Sequence, residues 1–300
     1  MLTFRIRMIQ RFCLAAVLLF LAGARPAFAY MPRVLRIGFV PSENVQEVMR
    51  NAEPLVAMLR RELKMDVVPF VATDYTGVIE AMRAKKLDAA FFAPGAYVLA
   101  EREAKARVIL KVIRKGKGYF YAVIFTRKDS GIKSLQDLKN RTFAFGDPDS
   151  LSGSLYPKLM FLKEGINPDT FFKRVYYAGG HDATVLAVFN KEVDAGATFA
   201  NDRQGNDAAW DLFLKNPEER SQIQALAYSK PLPSDNIAVA NGLDASLVNR
   251  LRLAFVHLSK TRSGLAQLRR LYGIDGFVPA TPAEYAPIRE VFERLGFKQR

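Results

Sequence analysis

Short apolar runs alternate with amphipathic helical stretches along this chain, and that alternation limits its fold more than any other feature. Residues 34–40 read as a strand, ended by Pro41 and Ser42. Over residues 44–63, Val45, Val48, Met49, Leu55, Val56, Met58, Leu59 and Leu63 recur at helical spacing. Strands at 65–71, 87–92 and 106–113 alternate with helices, one opening at Asp74 as a predicted N-cap and one near Gly95. A β-α-β-α-β order predicts a largely parallel sheet with helices on its faces. A second α/β unit follows, with an extended run at 116–126, a short helix at 134–138, strands at 142–145, 174–177, 193–198 and 223–228, and helices opening near 155 and 179. Residues 231–239 lead back to the first unit, and residues 244–300 read as mostly helical, packing on it. The predicted architecture is therefore α/β in two lobes, each a mostly parallel sheet flanked by helices. The expected boundaries are 30–122 with 232–300 for the first lobe and 123–231 for the second, with hinge crossings near 122–126 and 230–236. Open α/β sheets bind ligands beyond the carboxyl ends of their strands, so a cleft between the lobes is the expected site.

One strand-to-helix turn carries the most chemistry. It is Gly146-Asp-Pro-Asp-Ser-Leu-Ser-Gly-Ser-Leu-Tyr-Pro157. The first amides of a helix lack internal acceptors, and the helix dipole adds partial positive charge there. Ser150 and Ser152 add hydroxyl donors, and Gly153 permits close approach to the backbone. Together with the amides through Ser154 they predict a cradle for a tetrahedral oxyanion. The same residues also make an ordinary N-cap. Two further turns of this kind hold Tyr75 and His181.

The N-terminus has a different character. Arg5, Arg7 and Arg11 precede an apolar run from residue 12 to 23, and Ala27 and Ala29 supply an A-x-A pattern. That is the form of a secretory leader cleaved after Ala29, with an uncleaved anchor as the alternative. The one cysteine, Cys13, lies within it, so the mature chain is expected to lack disulfides and thiol chemistry. The formal charge is +14, and removing residues 1–29, which hold four Arg and no acid, leaves +10. Such a field raises the encounter rate of anionic ligands. The basic residues are spread over amphipathic segments without interleaved aromatics, which argues against nucleic acid.

From about Leu35 to Val291 the chain resembles the phosphate, phosphite and phosphonate-binding proteins of bacterial ABC transporters, which have the type II periplasmic binding protein fold. The resemblance rests on five ordered motifs: Thr73-Asp-Tyr-Thr-Gly-Val-Ile-Glu-Ala-Met82, Gly118-Tyr-Phe-Tyr-Ala-Val-Ile124, Phe145-Gly-Asp-Pro-Asp-Ser-Leu-Ser-Gly153, Ala178-Gly-Gly-His-Asp182 and Pro231-Leu-Pro-Ser-Asp-Asn236. It implies a periplasmic receptor, expected to be monomeric, that uses no cofactor and no metal and delivers a small phosphorus anion to an inner-membrane permease. The ligand-facing positions it implies are Tyr75, Tyr119, Ser150, Leu151, Ser152, Gly153, His181, Asn201 and Asp235. Leu151 replaces a hydroxyl donor of the family. Asn201 stands where amine-binding members carry an acid, with Asp202 able to substitute if the alignment shifts by one. Both departures point to a small anion without an amine.

Each residue type has a physical role in such a site. The serines donate to ligand oxygens, and His181 donates from a ring nitrogen, with added charge if protonated. Asp235 accepts a P–OH proton that sulfate does not offer near neutral pH, which would exclude sulfate. Tyr75 and Tyr119 supply hydroxyls and apolar walls, although core packing is the commoner use of such rings. His257 and Trp210 are expected to be structural. Ser152, His181 and Asp235 are also the residue types of a hydrolase triad, but no G-x-S-x-G elbow surrounds the serine. A further alternative keeps the fold and presents the solute to a membrane sensor in place of a permease.

Overall fold

The computed structural model describes residues 29–297. The expected leader and Cys13 lie outside the described residues, apart from Ala29. In chain order the strands are β1 (Val34–Phe39), β2 (Asp66–Val71), β3 (Ala89–Phe92), β4 (Arg107–Ile113), β5 (Tyr119–Arg127), β6 (Thr142–Phe145), β7 (Arg174–Tyr177), β8 (Ala195–Ala200), β9 (Ile223–Tyr228), β10 (Leu232–Pro233), β11 (Asn236–Val239) and β12 (Gly276–Pro279). The longer helices are α1 (Val45–Leu63), α2 (Tyr75–Arg83), α3 (Pro94–Ala104), α4 (Tyr156–Lys163), α5 (His181–Phe189), α6 (Ala245–Lys260), α7 (Arg262–Tyr272) and α8 (Ala286–Arg294).

The strands form two sheets. In the first, β1 lies between β2 and β3, parallel to both, and β11 runs antiparallel between β3 and β4. In the second, β6 lies between β7 and β8, parallel to both, and β5 runs antiparallel to β8 and β9. The orders β2-β1-β3-β11-β4 and β7-β6-β8-β5-β9 are thus the same arrangement made twice. In each, the reversed strand is chain arriving from the other lobe.

The crossings differ from expectation at one place. Residues 122–126 lie inside β5, paired to β8 from Tyr121 opposite Ala200 to Thr126 opposite Ala195. The first crossing falls earlier, between Ile113 and Tyr119. The long extended run reads as a connector in sequence, yet its residues 122–126 are wholly buried in a central strand. On the return path Leu232 and Pro233 pair with Phe120 and Tyr119 in the second sheet, so the second crossing lies between Pro233 and Asn236.

Helical periodicity explains the packing. Asn44 accepts the amides of Gln46 and Glu47, starting α1, whose Val48, Ala52, Leu55, Val56, Leu59 and Leu63 are buried. With α6 and α7 that face covers one side of the first sheet, around Leu35, Phe91 and Phe255. Each such side chain stabilises the fold by ~1.5–3 kcal/mol on full burial. On the other side α2, α3 and α8 form a core that continues into Phe143, Phe145 and Leu155 of the second lobe. Trp210 is buried against Phe125 in the second lobe, and His257 is a surface residue beside Glu62 (3.1 Å). The C-terminal region is helical as expected except for β12, which pairs with β4. Gly-Phe-Val-Pro is too short to show an alternating pattern. Among the described residues no helix is long and apolar enough to cross a membrane.

Candidate functional site

The strand ends of both sheets face one cleft of about 950 Å3 between the lobes. Its floor in the second lobe is the turn after β6. Residues Leu151–Leu155 form one π-helical turn in which the Ser150 carbonyl accepts from Ser154 and Leu155, both at 3.0 Å. Ser150 caps that turn through Oγ, which accepts the Gly153 amide at 3.1 Å. Among the described residues the amides of Leu151 and Ser152 donate to no acceptor. Ser150, Leu151 and Ser152 are buried and line the cleft. Gly153 lies behind that wall. A Cβ there would stand 3.1 Å from Gly146 Cα, so its smallness serves backbone packing inside the turn, and its amide is taken by Ser150.

Tyr75 and His181 enter from equivalent places, each the first residue of the helix after a second strand. Tyr75 lines the cleft fully buried. Burial first, and then the charges of Asp147 and Asp235, push its phenol well above the ordinary range, so it acts as a neutral donor. His181 is buried, with its ring edge-on to Phe199 at 5.0 Å. Burial lowers its pKa to about 4, so the ring is neutral near pH 7 and does not bring the charge that protonation would supply. Its Nδ1 meets Thr198 Oγ1 at 2.9 Å. A hydroxyl donating to Nδ1 leaves the proton on Nε2, the nitrogen free to donate.

Asp235 also lines the cleft, with Oδ2 accepting from Arg114 Nη2 at 2.5 Å. Arg114 is itself fixed by donation from Nε to the Tyr272 carbonyl at 2.9 Å. Asn201 lines the cleft and donates to Asp207 Oδ1 at 3.2 Å, and Asp207 pairs with Lys115 at 2.8 Å. Asp202 is turned into its own loop, accepting the amides of Gln204, Gly205 and Asn206. Tyr119 is not among the lining residues. It is 38% exposed, edge-on to Tyr121, beneath the Lys117 ammonium. With His181 held by Thr198 and Asp235 by Arg114, no carboxylate among the described residues orients the histidine, and Ser152, His181 and Asp235 do not form the hydrolase arrangement.

The lobes meet along a seam beside this site. The His181 amide donates to the Ser42 carbonyl (2.9 Å), and Asn44 to Asp182 Oδ2 (3.0 Å). Tyr75 N–H donates to Asp147 Oδ2 (3.1 Å), and the Thr76 hydroxyl to Asp149 Oδ2 (2.7 Å). Backbones touch as well: a Cβ on Gly95 of α3 would lie 2.5 Å from the Asp149 carbonyl oxygen. These contacts describe closed lobes.

Sequence reasoning missed Arg114, Thr198, Asp147 and Glu43. Thr198 had a usable signal, a lone hydroxyl in an apolar strand. Arg114 and Asp147 find their partners, Asp235 and the Tyr75 amide, far away in sequence, and Glu43 is marked only by its place at the seam, neither of which linear spacing encodes.

Comparison with known proteins agrees with this geometry. The family model described as "ABC transporter, phosphonate, periplasmic substrate-binding protein" matches residues 37–285. The "Phosphonates-binding periplasmic protein" of Escherichia coli (strain K12) is 30% identical over 265 residues, covering 86% of this chain and 76% of that protein. The "Phosphate-import protein PhnD" of Mycolicibacterium smegmatis is 28% identical, covering 88% and 87%. A binding protein component of an ABC phosphonate transporter from Pseudomonas aeruginosa superposes with a TM-score of 0.79 at 27% identity, covering 90% of each chain. The two-lobed architecture is the type II periplasmic binding protein fold, as the resemblance implied. Fold, cleft and matched span lead to one assignment: the chain belongs to the family of periplasmic substrate-binding proteins of ABC phosphonate transporters.

Proposed function

We propose that this protein captures a phosphorus oxyanion between its lobes and hands it, as a monomer, to an ABC permease, after export and cleavage behind Ala29. The carrying observation is the turn at Ser150–Ser152. It offers the Ser152 hydroxyl and two amides without protein acceptors to the cleft, beside the Ser150 hydroxyl, which is bonded to the Tyr75 phenol, and the neutral donor His181. Hydrogen bonds to an ionised oxygen are worth ~1.5–3 kcal/mol each, so four or more in a dry cleft hold a small anion without a metal.

Asp235 sets the class of anion. Its carboxylate accepts from a P–OH group and repels an oxyanion without a proton, favouring phosphate, phosphite or a short phosphonate over sulfate. Asn201, tied to Asp207, offers no charge to a ligand amine. Capture proceeds by rotation of the two sheets about the crossings at 113–119 and 233–236, and the seam forms on closure.

A thermal-melt panel on mature protein, stripped by unfolding and refolding, tests this. Phosphate, phosphite, methylphosphonate and 2-aminoethylphosphonate are compared with sulfate. A ligand at a hundred times its Kd stabilises by about 2.7 kcal/mol, enough for a shift of several degrees. A shift with a phosphorus anion and none with sulfate is expected. No shift with any of them removes the phosphorus assignment.

A further inference from the structure

One carboxyl group in the cleft stands apart from the others. Five carboxylates line it: Glu43, Glu47, Asp207, Asp235 and Asp275. Four are paired with cations. Glu47 meets Arg50, Asp207 meets Lys115 at 2.8 Å, Asp235 meets Arg114 at 2.5 Å and Asp275 meets Arg269 at 2.7 Å. Glu43 makes no hydrogen bond or ion pair among the described residues.

Its position is at the seam. Glu43 sits between Ser42, whose carbonyl receives the His181 amide, and Asn44, whose amide donates to Asp182. The two lobes come so close here that a Cβ on Gly180 would lie 3.1 Å from Glu43 Cα. The groups that face it are Asp182 at the start of α5, Glu47 on α1 and the Tyr272 phenol at the end of α7. None of these supplies positive charge. Burial, then Asp182, then Glu47 raise the Glu43 carboxyl to about 7.

We propose that Glu43 is a ligand-facing specificity residue that enters the closed complex as a neutral carboxylic acid, taking a proton from solvent as the lobes shut on the anion. An ionised Glu43 would add a third negative charge beside Asp182 and Glu47, against an anion held a short way off at His181 and the serine turn. A neutral carboxyl removes that repulsion and offers an O–H donor to a ligand oxygen. A buried carboxylic acid kept neutral near pH 7 so that it donates is an established device of anion-stabilising sites. This inference rests on the anion reading of the cleft. It adds that capture tightens as pH falls through about 7, because the closed form holds a proton at Glu43 that the open, hydrated form releases.

Calorimetric titration of wild type and Glu43→Gln with methylphosphonate, phosphite and phosphate, from pH 5.5 to 8.5, tests it. The amide mimics the neutral acid in shape and donor, and comparing the two proteins at each pH cancels the ligand's own ionisation. Wild type is expected to lose affinity relative to Glu43→Gln by at least about tenfold across that range, with the loss levelling off above about pH 7. Titrations in two buffers of different ionisation enthalpy should show more proton uptake in wild type than in the variant at pH 7.5. Parallel pH profiles with equal proton uptake would overturn the role of Glu43 and leave the anion site standing. Absence of binding by every phosphorus anion to either protein would remove the anion reading, and this proposal with it.

Discussion

The two lobes place equivalent helix starts around one cleft but use them differently. In the first lobe Asn44 caps α1, accepting the amides of Gln46 and Glu47, and Asp74 caps α2, accepting the amide of Gly77. What remains exposed at those starts is met by carboxylates of the second lobe: Asp182 takes the Asn44 amide, Asp147 the Tyr75 amide and Asp149 the Thr76 hydroxyl. In the second lobe Gly180 gives α5 no side-chain cap, and the serine turn leaves the Leu151 and Ser152 amides without acceptors. The same electrostatic feature, a helix start that favours negative charge, therefore closes the lobes in one half and is left for a ligand in the other. The division of labour is written in side chains, since the strand orders are the same.

The largest effect should come from blocking the approach of the lobes. Gly95→Ala puts a methyl group 2.5 Å from the Asp149 carbonyl oxygen while improving helix propensity within α3. Ligand affinity should drop by about a hundredfold or more as the closed population falls, with the thermal stability of the ligand-free protein kept. Retained affinity would show that the seam is not required for capture.

Next come the caps, one from each lobe. Ser150→Ala removes a ligand hydroxyl and frees the Gly153 amide, and should weaken binding roughly 10- to 100-fold. Asp74→Ala removes the cap of α2 and should cost about 1 kcal/mol of stability with little change in affinity. Equal effects of the two on binding would erase the contrast between the lobes. Thr198→Val, which releases His181 Nδ1, should weaken binding about tenfold without unfolding the second lobe, as calorimetry and circular dichroism would show.

The smallest effect concerns pH. Burial raises the Asp147 carboxyl to about 6, against the amides of Tyr75 and Asp149 that favour its ionised form. A raised carboxyl means that its charge disfavours the closed fold above pH 6, and that this cost fades as pH falls from about 6 towards the ordinary carboxylate range. Asp147→Asn keeps an acceptor for Tyr75 and has no charge to lose. It should show a severalfold smaller rise in affinity between pH 7 and 5 than wild type. Overlapping profiles would place Asp147 outside the closure equilibrium.

Much of this arrangement was readable in the sequence, because helices and strands with one buried face carry their period openly. Asp74 at the start of α2, the serine turn and His181 at a helix start all follow from local chemistry. What was not readable depends on tertiary packing and pairing. The first crossing was placed inside β5 because a central strand buried on both faces shows no alternation. Arg114 was hidden because its partner, Asp235, lies 121 residues away. Tyr119 matched a family motif, yet its strand leaves the ring at the surface against Tyr121. Gly153 suited an anion turn by type, but its role is set by Gly146 packing behind it.

The most direct test is calorimetric titration of stripped wild type and Ser152→Ala with methylphosphonate, phosphite, phosphate and sulfate. At least one phosphorus anion should bind wild type, sulfate should not, and Ser152→Ala should weaken the bound anion by at least about tenfold. Wild-type affinity in Ser152→Ala, or sulfate bound as tightly as the phosphorus anions, would contradict the anion assignment.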